Sequence, residues 1–162
     1  MKPIIRQIKN ETLDTARQFR AVCIVGPRQS GKTTLSKMVF GSKPYVSLEN
    51  PKIQALAEAD TEAFLNRYKG GAILDEVQRV PDIFRYLQGL LDTNTRRGQF
   101  ILTGSNNFLL QQQVSQSLAG RVGYLELLPL SYAELEKAKR ASNDVNKHIL
   151  QGGYPELWQQ KI

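Results

Sequence analysis

The hydrophobic pattern changes period several times along the chain. Ala21-Val22-Cys23-Ile24-Val25 is a continuous apolar run, the pattern of a strand buried on both faces. A glycine-rich turn follows it, then a helical stretch from Lys32 to about Phe40. Tyr45 to Leu48 predicts a second strand. Asn50-Pro51 supplies an N-cap and a proline at the first helical position. The segment after it carries Ile53, Leu56, Ala57, Phe64 and Leu65 and reads as helical, broken near Asp60-Thr61. Ala72-Ile73-Leu74 is a short buried strand that ends at Asp75. Pro81 opens a helix with Ile83, Phe84, Leu87, Leu90 and Leu91 on one face. Phe100-Ile101-Leu102 predicts a fourth strand, ending at Thr103-Gly104. Ser105 is expected to cap a helix that continues through Leu118 and stops at Gly120. Val122 to Leu128 predicts a fifth strand. Ser131 and Glu134 match a capping box, and Gly152-Gly153-Tyr154-Pro155 is a turn signal in the tail. Strands alternating with helices predict an α/β fold with a mostly parallel sheet.

Composition narrows the class. At 162 residues one domain is the prior, with enough chain to bury a core. The lone Cys23 has no partner for an internal disulfide and reads as a small core residue, which fits a reducing, cytoplasmic setting. No apolar stretch approaches the roughly 20 residues of a membrane span, so no membrane partner is expected. The first residues mix charges among apolar positions and do not form a signal peptide. Twenty-two Lys and Arg against 15 acids give a net charge of +7. That excess favours polyanions in general without choosing among them.

The chemistry begins at Gly26-Pro27-Arg28-Gln29-Ser30-Gly31-Lys32-Thr33, which fits GxxxxGK[ST] at every fixed position. It lies between a buried strand and a helix start, as the chemistry requires. There the glycines let successive N–H groups turn inward around phosphate oxygens, with Thr34 next in line. Lys32 places a point charge at the β- and γ-phosphates, and the Thr33 hydroxyl is a ligand for Mg²⁺.

Asp75 and Glu76 close the third predicted strand. An Asp there suits the Mg²⁺ shell, and the neighbouring Glu suits polarising a water for in-line attack. Thr103, Gly104, Ser105 and Asn106 follow the fourth strand; in P-loop ATPases with an extra strand between the loop strand and the acidic strand, this end lies beside the γ-phosphate. Thr103 is a candidate phosphate sensor, and Ser105 a sensor or a helix cap. Arg121, before the fifth strand, is a candidate for stabilising transition-state charge, within the chain or across a subunit interface. Arg28, Gln78 and Arg79 are weaker candidates around the same site. The single His148 has no partner at zinc-ligand spacing.

With GPRQSGKTTL (26–35), AILDEVQRVP (72–81), FILTGSNN (100–107), SLAGRV (117–122), LPLSYAEL (128–135) and GGYPEL (152–157) in this order, the chain resembles the AAA-type ATPases of the AAA_14 family. The resemblance implies a three-layer P-loop sheet ordered 5-1-4-3-2, and ATP with Mg²⁺ as ligands. It implies Walker A roles for Lys32 and Thr33, Walker B roles for Asp75 and Glu76, and a sensor position at Thr103 or Ser105. It resembles the signal-transducing ATPases more than the ring unfoldases. Members usually carry a further DUF4143 domain. The expected organisation here is a P-loop core over 1–128 and a short helical extension over 129–162, the start of a domain that the chain lacks.

The leading functional reading is an ATP-binding domain that hydrolyses ATP slowly, as a switch or motor module, alone or with a homo-oligomeric or protein partner. A small-molecule kinase is an alternative, opposed by the absence of an arginine-rich lid late in the chain. A non-hydrolysing, nucleotide-dependent binding module, with nucleic acid as a candidate ligand, is another. Arg96, Arg97, Lys137, Lys139, Arg140 and Lys147 supply charge for it, but they are scattered and accompany no recognition motif.

Overall fold

A computed structural model describes residues 3–105 and 108–159. Helix α1 (Lys9–Gln18) leads into β1 (Ala21–Gly26) and α2 (Lys32–Val39). Next come β2 (Tyr45–Ser47), α3 (Pro51–Ala59), α4 (Thr61–Asn66) and β3 (Ile73–Asp75). A 3₁₀ turn over Val77–Arg79 precedes α5 (Asp82–Thr93), β4 (Phe100–Ser105), α6 (Phe108–Ser117) and β5 (Val122–Glu126). The chain closes with α7 (Tyr132–Lys137), α8 (Val145–Gln151) and α9 (Pro155–Gln159).

The five strands are parallel and ordered β2-β3-β4-β1-β5, the expected neighbours counted from the other edge. Strand side chains alternate between faces, and β1 shows the consequence. Ala21, Cys23 and Val25 join the core built with α3, α4, α5 and α6, while Val22 and Ile24 join Ala16 of α1 and Leu35 of α2 on the other face. Helices thus cover both sides of the sheet, and β1 and β4 at its centre are apolar on both faces for that reason. Burial pushes the Cys23 thiol up to about 12, so it packs as an inert core group.

The local signals are realised. Asn50 caps α3 by accepting the Lys52 N–H at 3.0 Å, and Asp60 caps α4 by accepting the Ala63 N–H at 2.8 Å, so the helix breaks at the expected residues. Ser131 and Glu134 form the reciprocal capping box of α7. The turn signal at 152–154 separates α8 from α9, and Ile4, Leu130, Leu135 and Trp158 form a small core beneath this tail. The His148 ring packs on Tyr132 and Trp158.

Three details differ. Helix α1 was not apparent in the sequence because its buried face is only Thr12 and Ala16, too thin an apolar stripe to stand out. Strand β5 stops at Glu126, two residues early, although the Leu127 N–H still donates to the Val25 carbonyl at 2.7 Å. Ser105 is the last residue of β4 and does not start the next helix; α6 begins at Phe108, and Asn106 lies outside the described residues. Among the described residues no helix is long and apolar enough to cross a membrane.

Candidate functional site

In a parallel sheet all strands end at the same edge, and the polar segments after them converge there. Here β1 delivers residues 26–31, β3 delivers Asp75 and β4 delivers Thr103, with β4 hydrogen-bonded between the other two.

The loop after β1 is built on positive backbone φ angles, +151° at Gly26 and +98° at Gly31. A Cβ on Gly26 would stand 2.1 Å from the Leu127 carbonyl oxygen, so no other residue fits. Gln29 takes the left-handed conformation at the tip, with Arg28 and Gln29 exposed and Pro27 half-buried. Ser30 is buried, and its hydroxyl is an unpartnered polar group inside the cradle. Gly31 precedes α2, so the loop opens onto a helix N-terminus whose first N–H groups are free to bind an anion. Lys32 is buried, and its ammonium donates to the carbonyls of Gly26 at 3.0 Å and Pro27 at 2.7 Å. Burial holds its pKa below the ordinary lysine value, against the pull of Glu76 and Asp75 and reinforced by Arg28. Thr34 is exposed one residue beyond Thr33 and lines a small cavity with Gly31, Arg6 and Pro155.

Asp75 is the hub of the strand ends. Its carboxylate accepts from the Thr33 hydroxyl at 3.0 and 3.2 Å, from the Tyr45 hydroxyl at 2.6 Å, and from the Thr103 hydroxyl in a short bond. Asp75 and Thr103 are both buried. Hard oxygen donors from four elements, α2, β2, β3 and β4, thus meet at the mouth of the loop, the donor type that suits Mg²⁺. Glu76 follows in the left-handed conformation, and its carboxylate accepts from the Gln78 amide. The structure therefore brings together the loop residues, Lys32, Thr33, Asp75, Glu76 and Thr103, with Ser105 beside Gly26 in the β1–β4 register.

It does not bring Arg121 to them. Arg121 precedes β5, and its backbone carbonyl accepts from the N–H groups of Arg20 and Ala21 at the start of β1. It lies at the opposite edge of the sheet, about 17 Å away at roughly 3.3 Å per strand residue. Its guanidinium makes two bonds to Asp92, at 2.6 and 2.9 Å. The expectation that Arg121 reaches the site of its own chain is corrected, because parallel strands put residues before and after them at opposite ends.

Two contributors were missed in the sequence. Tyr45 reaches Asp75 from the edge strand; burial, then the bond to Asp75, push its phenol up to about 12. Arg6 is buried and donates to the Ser30 carbonyl at 2.7 Å, bracing the loop from behind. Neither lies in a local motif, and no spacing could have found them.

The model of the AAA_14 family, described as an AAA domain, matches residues 18–136. An uncharacterized protein of Mycobacterium tuberculosis is 38% identical over 136 residues, covering 83% of this chain and 30% of the relative, so the chain spans about a third of that relative's length. Among solved structures, the Walker-type ATPase of Pyrococcus abyssi superposes with a TM-score of 0.61 at 16% identity, covering 96% of this chain and 65% of that one. A signal-transduction ATPase with numerous domains and a tetratricopeptide repeat sensor, from Pyrococcus horikoshii, superposes with a TM-score of 0.60 at 17% identity, covering 96% and 29%. Those two structures share the fold. The family match carries the assignment, and the chain belongs to the AAA_14 family of AAA domains.

Proposed function

We propose that this domain binds Mg·ATP on the 26–34 loop and hydrolyses it slowly, as a switch or motor module. The observation that carries the reading is the contact of Thr33, the residue after the loop lysine, with Asp75 at 3.0 Å. A helix start and a strand end, distant in sequence, put a hydroxyl and a carboxylate side by side where a phosphate-bound Mg²⁺ needs oxygen ligands.

The residues then have separate tasks. Backbone N–H groups of the loop hold the phosphates, and Lys32 exchanges its carbonyl partners for β- and γ-phosphate oxygens. The buried Ser30 hydroxyl and the glycine backbone fit a close-packed anion. Thr33 and Asp75 would hold the Mg²⁺, which supplies neutralising charge to the transferring phosphoryl group. Thr103 and Ser105 lie where a γ-phosphate is sensed. Glu76 accepts a proton from the attacking water as its oxygen bonds to the γ-phosphorus. The bond from that phosphorus to the bridging oxygen breaks, leaving its electron pair on ADP.

Turnover by a single chain is expected to be slow, below the median of about 10 s⁻¹, because Arg121 stands at the far edge of the sheet. A second copy or a protein partner would complete the site. In this reading 1–128 is the ATPase core, and α7 to α9 belong to the extension over 129–162. Isothermal titration with Mg·ATP tests the proposal. Wild type should bind and Lys32→Ala should lose most of the affinity; equal binding by both would sink the loop assignment.

A further inference from the structure

We propose that Gln78 is the positioning residue for Glu76, holding one carboxylate oxygen so that the other faces the attacking water. The proposal rests on the hydrolytic reading above and adds a residue to it.

Asp75 and Glu76 are neighbours in sequence but are held differently. Asp75 is engaged by hydroxyls from α2, β2 and β4. Glu76 has one hydrogen-bond partner for its side chain among the described residues, the Gln78 amide on Oε2. The backbone makes that contact. Glu76 sits at φ 58° and ψ 48°, a region sparsely used by residues with a Cβ. This kink starts the 3₁₀ turn over Val77–Arg79, closed by the Arg79 N–H on the Glu76 carbonyl at 3.0 Å. The turn carries the Gln78 side chain back beside Glu76.

The amide orientation follows from chemistry. A carboxylate only accepts, so the end of Gln78 that faces Oε2 is the NH₂. Its Oε1 is then directed at β4, where it is buried and unpartnered. Gly104 makes the room: a Cβ there would lie 2.6 Å from Gln78 Oε1 and 2.6 Å from Leu110 Cδ2. Gln78 therefore spans from Glu76 to the strand that carries Thr103. With Oε2 bound to Gln78, Oε1 is the oxygen left to take the proton of water. Positioning of this kind acts on the transition state and not on nucleotide binding.

The test is a double-mutant cycle on the full chain with Mg·ATP. Gln78→Met keeps the length and removes the donor; Gln78→Asn keeps the amide but is one carbon too short. Each should lower kcat at least tenfold with KM for ATP within twofold of wild type. Glu76→Gln with Gln78→Met should be no slower than Glu76→Gln alone, because the two residues act as one unit. Losses that multiply, a kcat within twofold of wild type in both single variants, or a change confined to KM would overturn the proposal. A wild type without turnover would refute the hydrolytic reading instead. The clamp would then be judged by ¹⁵N spectra, in which Glu76→Gln should shift the Gln78 side-chain amide signals. Unmoved signals would overturn the proposal.

Discussion

Arg6 and Glu134, 128 residues apart in sequence, meet as a buried ion pair at 3.0 Å. The guanidinium also donates to the carbonyls of Ser30, Leu128 and Pro129. Glu134 accepts in addition from the N–H groups of Gln7 and Ser131. One contact thus ties the phosphate loop, the segment before α1 and the start of α7 together.

Removing one member of such a pair leaves the other charge buried and uncompensated. Arg6→Ala should therefore destabilise the chain by about 3–5 kcal/mol, far more than loss of an exposed pair such as Arg17 with Asp14. Urea unfolding followed by far-UV circular dichroism measures it. A loss below about 1 kcal/mol would show that the pair is not a structural anchor.

Glu134 also sets a pH dependence. Burial works to raise its carboxyl, but bonds from Ser131, Gln7 and Arg6 outweigh that and hold it below the ordinary value of 4.5. A depressed carboxyl contributes stability that is complete above pH 4.5 and is lost as pH falls through the folded-state value. The stability difference between wild type and Glu134→Gln should be constant near neutrality and shrink below that pH. A difference that stays constant down to acid unfolding would contradict the assignment.

The placement of Arg121 makes a third prediction. Arg121→Ala should leave the ATP affinity of the single chain within twofold of wild type, because the side chain is bound to Asp92 at the other edge. If phosphate release per chain rises with protein concentration, the substitution should abolish the rise. Slower release by the variant at dilution, where no assembly forms, would show that Arg121 reaches its own site after all.

What was legible in the sequence is what short-range physics decides. GxxxxGKT is eight contiguous residues between a buried strand and a helix start, so its geometry follows from glycine torsions and a helix N-terminus. The caps at Asn50 and Ser131 act over three residues or fewer and form at the expected residues, and Asp60 caps α4 at the expected break. The apolar runs at 21–25 and 100–102 are continuous because both faces of a central parallel strand are covered. Helix α1 escaped because a thin apolar stripe carries little signal, and in the tail only a helical extension was legible, without the bounds of α8 and α9.

What only the tertiary structure decided is which strand ends are neighbours. Without the family resemblance, periodicity says nothing of strand order, and that order puts Thr103 and Tyr45 on Asp75 from two different strands. Arg121 goes to the far edge whatever the order, because it precedes a parallel strand, although the residues around it read like a site. Arg6 is the extreme case. Its role depends on Ser30 and Glu134 arriving from distant segments, and a buried charge gains its partners only when the chain has closed around it.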